Sequence, residues 1–108
     1  MRKITQETVN AFFSGGNLAK NNMVVSGYSV YLHGNNIARK LDNNTIQICF
    51  CEWVTPTTAE RINAIVSTAT NGRIHVGIKK GNPEFRYLDG TSETISSGEW
   101  VTVESLYF

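Results

Sequence analysis

Apolar positions along the chain change their period several times, and each change marks a new element. Between Ile4 and Gly15, Val9, Phe12 and Phe13 fall at i, i+3 and i+4, which predicts an amphipathic helix. Thr5 is placed to cap it, Ile4 to pack on Val9, Glu7 to complement the positive helix start, and Gly15 to end it. From Met23 the period drops to two. The runs Met23–Ser26, Tyr28–His33, Ile37–Leu41 and Thr45–Cys51 are cut by Gly27, by Gly34-Asn35-Asn36 and by Asp42-Asn43-Asn44, a sequence of hairpins. Ile37, Arg39 and Leu41 are expected on one face of their strand, with Ala38 and Lys40 on the other. In the next run Ile46, Ile48 and Phe50 share one face and Gln47, Cys49 and Cys51 the opposite one. Few charges appear on either face, so this is the expected central strand.

The helical period returns after Trp53. Pro56 suits a first helical position, Thr57-x-x-Glu60 has the form of a capping box, and Ile62, Ile65, Val66 and Ala69 make the apolar stripe. Asn71-Gly72 ends this helix. Arg73–Lys79 alternates, Lys80-Gly81-Asn82-Pro83 turns the chain, and Phe85–Leu88 returns to a second turn at Asp89-Gly90. Thr91–Gly98 is expected to be irregular, and Glu99–Glu104 to close the sheet. The pattern predicts one α+β domain over residues 1–108, an antiparallel sheet of about five or six strands with two helices.

A chain of 108 residues supports a single modest core. Charged residues are 18% of it, below the usual quarter, and Asn, Thr and Ser fill the gap, favouring turns. A net charge of +1 argues against an acidic nucleic-acid mimic and against binding phosphate backbones by bulk charge. Met1-Arg2-Lys3 leads into Thr5-Gln6-Glu7 where a secretory signal would be apolar, and no apolar run is long enough to span a membrane. A soluble cytoplasmic protein with no membrane partner is expected.

Candidate chemistry is sparse. Cys49-x-Cys51 puts two thiols on one strand face, but zinc pairs are usually spaced by two to four residues and redox pairs by two. His33 and His75 lack spacing that would complete a ligand set, so buried cysteines and no metal or cofactor are expected. His33 is expected to hydrogen-bond its turn, since no paired acid or nucleophile marks it as a catalytic base. No catalytic residue is predicted. Trp53 is expected to seal the core where the second helix begins, with Thr55, Thr57 and Thr58 satisfying the helix N–H groups. That terminus could receive a phosphate, but it has no glycine-rich loop or neighbouring Lys. Asn63 lies off the apolar stripe, free to bond a loop or to face solvent. Arg39-Lys40 and Lys79-Lys80 flank hairpin turns, and Arg61 is expected on the polar side of the second helix. Gathered at one end of the sheet beside Tyr28, Tyr31, Phe85 and Tyr87, these bases would form a nucleic-acid surface. Interleaved with Asp42, Glu60 and Glu84, they form an ordinary solvated surface.

Two blocks, Leu32-His33-Gly34-Asn35-x-Ile37-Ala38 and Trp53-x-Thr55-x-Thr57-Thr58-x-x-Arg61-x-Asn63, resemble a signature of small phage and prophage accessory proteins. Phe12-Phe13-Ser14-Gly15-Gly16-Asn17, Lys79-Lys80-Gly81, Tyr87-Leu88-Asp89-Gly90 and Trp100 extend the likeness, while Arg39-Lys40 and the longer Thr91–Gly98 segment depart from it. The resemblance implies a phage-encoded accessory protein. By analogy with small phage proteins that lack a catalytic constellation, it implies an anti-CRISPR-type inhibitor in the host cytoplasm. Such a protein would occupy a surface of a host defence protein or ribonucleoprotein complex. The expected contact residues are Asn35, Asn36, Arg39, Lys40, Arg61, Lys79 and Lys80. The alternative is a regulatory accessory protein that binds nucleic acid directly through the same basic turns.

Overall fold

The computed structural model describes residues 2–104; Met1 and the last four residues lie outside the described part. Helix α1 (Lys3–Ser14) ends at Gly15, whose φ of 73° lets the N–H groups of Gly15 and Gly16 turn back onto the last carbonyls. Its start differs from expectation. Arg2 occupies the cap position without a side-chain bond, and Thr5 is buried in the first turn with its hydroxyl donating to Glu60.

Strands β1 (Asn17–Lys20), β2 (Met23–Ser26), β3 (Ser29–Leu32), β4 (Asn35–Asp42) and β5 (Thr45–Ile48) follow as an antiparallel meander, and β9 (Val101–Glu104) pairs with β5. Between β5 and β9 come α2 (Pro56–Ala69), β6 (Ile74–Lys79), β7 (Asn82–Tyr87) and β8 (Ser92–Thr94). The architecture is α+β as predicted, but the strands form two sheets where one was expected. Six strands run in the order β1-β2-β3-β4-β5-β9, and three in the order β6-β7-β8. β1 was not anticipated, and β8 lies within the segment expected to be irregular.

β5 is an interior strand, as its apolar pattern requires, with Ile46 and Ile48 fully enclosed, as is Phe50 just beyond it. β4 breaks the simple alternation. Val30 pairs with Ala38 and Tyr31 with Asn36, so Ile37 is an extra residue and both Ile37 and Ala38 turn inward. A second irregularity leaves Leu41 unpaired and exposed rather than sharing the face of Ile37.

One hydrophobic cluster joins both sheets to both helices: Phe12 from α1, Met23 and Val25 from β2, Ile62, Ile65 and Val66 from α2, Val76 and Phe85 from the small sheet. α2 also covers the open edge of β6, where Asn63 Oδ1 accepts the Val76 N–H at 2.8 Å. Asn63→Ala leaves that N–H without its partner and is expected to cost about 1–2 kcal/mol in urea unfolding. Faster hydrogen exchange at Val76 should accompany the loss, and Asn63→Asp, which keeps the acceptor, should recover part of it.

Candidate functional site

The two signature blocks meet in space. The β3–β4 hairpin turns on His33 and Gly34, both at positive φ (51° and 82°), as a two-residue type I′ turn requires. His33 is thereby exposed and Asn35 half-buried at the start of β4. Its imidazole makes no hydrogen bond among the described residues, contrary to the expectation that it would brace the turn. Beyond Phe50 the chain bends through two consecutive left-handed residues, Cys51 (φ 54°) and Glu52 (φ 64°). The bend is held by Glu52 N–H on the Ser97 carbonyl at 2.7 Å and Trp53 N–H on the Phe50 carbonyl at 2.8 Å. It sends Phe50 inward and Trp53 outward. Trp53 is 57% exposed, so it does not seal the core as the sequence suggested.

Thr55 caps α2: its hydroxyl accepts the Thr58 N–H at 3.2 Å, and Pro56 takes the first helical position. The cap is therefore Thr55, and Glu60 does not reach back to Thr57. Leu32, Ile37 and Phe50 form the apolar lining of a cavity of about 450 Å³, with Trp53 at its side and His33, Asn35, Thr55, Thr57 and Thr58 adding polar groups.

A second, more polar depression of about 610 Å³ shares Leu32, His33 and Thr57 with the first and is also lined by Arg2, Asn21, Asn22 and Arg61. Arg61 corrects the sequence reading most sharply. It is 6% exposed, not on an open polar face. Its Nη1 donates to Thr5 Oγ1 at 2.7 Å and to the Glu60 carboxylate. The other Glu60 oxygen lies 3.7 Å from Arg2 Nε. Burial, and then the positive charge of Arg2, lowers the Arg61 pKa from its ordinary value. One carboxylate thus serves two guanidinium groups.

The chain matches the family described as Kyanoviridae Gp96 protein over residues 1–106. It belongs to that family. This Gp96-family chain is therefore a phage protein, of a family from cyanophages. No curated protein and no solved structure matches it.

The remaining predicted contact residues of this Gp96-family chain lie on both sheets. With its amide nitrogen turned toward them, Asn36 donates to the carbonyls of Ala38 (2.8 Å) and Val30 (3.0 Å), bracing the bulge at Ile37. Arg39 lies 4.0 Å over the Trp100 ring and donates to Gln47 at 2.8 Å. Lys40 sits 5.7 Å from the centre of the Tyr28 ring. Lys79 and Lys80 are exposed at the β6–β7 turn of the small sheet, whereas Arg39 and Lys40 belong to the large one. Only Asn35 and Arg61 border the two depressions. Arg2 and Trp53 were missed as site residues. Trp53 carried a signal, since its block was already singled out. Among the described residues no helix is long and apolar enough to cross a membrane.

Cys49 is buried and Cys51 half-buried, both as free thiols, and no group of three or more metal-ligating side chains occurs among the described residues. Cys51 Sγ donates to the Asn36 carbonyl at 3.2 Å. Burial, then the hydrogen bond with Cys49 and its charge, pushes the Cys51 pKa up to about 12. Burial and Glu93, to which its hydroxyl donates, push Tyr87 up to about 12 as well. In both cases the folded state holds its proton to higher pH than the unfolded chain. The associated stability is complete below the unfolded pKa and is lost as pH rises toward 12. Urea midpoints are expected to fall as pH rises above about 9, and less steeply in Cys51→Ala. Cys51 should resist alkylation at pH 8 in the folded protein.

Proposed function

We propose that this Gp96-family protein acts by binding rather than by catalysis, as a phage-encoded inhibitor of a host defence nucleoprotein complex of the CRISPR-effector kind. The observation that carries the binding role is the exposed Trp53 beside an apolar cavity with polar groups at its edge. Aromatic anchors next to pockets dominate binding energy in macromolecular interfaces. The cavity is framed by a tight hairpin, a capped helix start and the buried side chains of Leu32 in β3, Ile37 in β4 and Phe50 beyond β5. The defence partner comes from the resemblance to phage accessory proteins and from the phage origin of the family.

Direct nucleic-acid binding through the basic turns is the second reading, favoured by the exposed Lys79 and Lys80. Arg39, engaged by Trp100 and Gln47, and Lys40, beside Tyr28, weigh against it. Affinity capture of the tagged protein from host lysate, with and without nuclease, separates the two. A protein complex that stays bound after nuclease treatment, and is lost with Trp53→Ala, is the expected result. Nucleic acid recovered alone, and lost on nuclease treatment or raised salt, would transfer the function to direct binding.

A further inference from the structure

The cavity beside Trp53 and the depression beside Arg61 adjoin, sharing Leu32, His33 and Thr57, and their chemistries complement each other. The first offers an exposed indole and an apolar lining, with hydrogen-bonding groups on His33, Asn35 and Thr55. The second carries an excess of positive charge. Glu60 is one carboxylate between Arg2 and Arg61, and it is already engaged by Arg61 Nη1 and the Thr5 hydroxyl. Arg61 is 94% buried, both of its hydrogen bonds leave from Nη1, and its Nε has no partner among the described residues. A buried guanidinium N–H without an acceptor is unusual, because an unmet buried donor is costly. Arg61 lies one turn after Thr57 in α2, and helical side chains lean toward the helix start. The guanidinium therefore leans toward the start of α2, where Pro56 has no N–H, Thr55 accepts the Thr58 and Ala59 N–H groups, and the Thr57 N–H makes no hydrogen bond among the described residues.

We infer that the two depressions form one site for a nucleoside monophosphate unit, its base against Trp53 and its phosphate beside Arg2 and Arg61. A base has both a face for the indole and a polar edge for Asn35, His33 and Thr55; an aliphatic or phenyl group would leave that edge unmatched. Phosphate oxygens match the forked donors of a guanidinium. About 450 Å³ lies within the range of small-ligand pockets. The inference rests on reading this face as the binding face, and it names what the face recognises.

The test titrates the full chain with nucleoside 5′-monophosphates, the matching nucleosides and inorganic phosphate, followed by amide and indole NMR signals. The expected result is that a nucleotide shifts both the Trp53 indole and the Thr57 amide, and binds at least about ten-fold more tightly than its nucleoside or phosphate. Arg2→Gln should reduce nucleotide affinity toward that of the nucleoside while leaving nucleoside binding intact, and Trp53→Leu should weaken both. A single-stranded tetranucleotide that binds more tightly than the monomer assigns the unit to a strand, and equal affinity assigns it to the free nucleotide. No shift at these residues at millimolar nucleotide, or equal affinity for nucleotide and nucleoside, overturns the inference. Because no host complex is used, failure here with successful capture from lysate removes this inference alone. Failed capture with intact nucleotide binding removes the host-defence reading alone.

Discussion

Glu60→Ala is expected to lower the unfolding free energy by about 3 kcal/mol, because it strands the buried Arg61 cation without its counter-ion. Arg61 is almost wholly enclosed and its Nη1 is shared between Thr5 and Glu60. Removing the carboxylate leaves only the neutral Thr5 hydroxyl, and leaves Arg2 to repel Arg61 unopposed. The lower end of the range for broken buried pairs applies, since the Glu60 side chain is 31% exposed and water partly replaces it. For a chain of this size the loss corresponds to a fall of about 12 °C or more in melting temperature. Arg61→Met removes the charge together with its need for a partner and is expected to cost about 1 kcal/mol or less. In the double variant most of the Glu60→Ala penalty should disappear. Urea unfolding of the four proteins closes the cycle. A Glu60→Ala protein within about 0.5 kcal/mol of the parent would mean that Arg61 is solvated after all.

That network explains why part of the site was invisible in the sequence. Arg61 lies off the apolar stripe of its helix, and an off-stripe cation reads as solvated. Its burial depends on Thr5, more than fifty residues earlier, which the local pattern assigned to capping α1. The alternation is regular in β2, β3 and β5 and is broken in β4, where the bulge at Ile37 turns two consecutive residues inward. β1 has Leu18 as its one half-buried residue, and β8 has all three residues exposed, so neither produces an alternating signal. The division into two sheets was not readable because strand period says nothing about pairing partner. Trp53 was misplaced for a backbone reason: two non-glycine residues at positive φ reverse the direction of the chain after Phe50. Arg39 has a partner in Trp100, a contact between β4 and the approach to β9 that composition does not reveal. Nor did the sequence show that the turn block and the helix-start block meet. Read separately they are a turn and a helix cap, and together they line one cavity.

Trp53→Ala is therefore expected to separate function from folding. An exposed aromatic at this position contributes little to stability, so the melting temperature should change by no more than about 0.5 kcal/mol would produce. Truncating a central aromatic anchor typically costs about 2–4 kcal/mol of binding, so partner affinity should fall by roughly 30-fold to 1,000-fold. Phe50→Ala supplies the contrast. Phe50 has no exposure and lies at the base of the same cavity, so its loss is expected to cost about 3–5 kcal/mol of stability along with binding. The paired change Lys79→Ala/Lys80→Ala touches the other sheet and should leave both properties unchanged. The direct nucleic-acid reading makes the reverse forecast, with binding weakened by the lysine pair, steeply salt-dependent, and indifferent to Trp53. Surface plasmon resonance of the captured partner against these three variants, beside their thermal unfolding curves, decides between them. A Trp53→Ala protein that folds and still binds its partner at full strength would remove the cavity from the mechanism, whatever the identity of that partner.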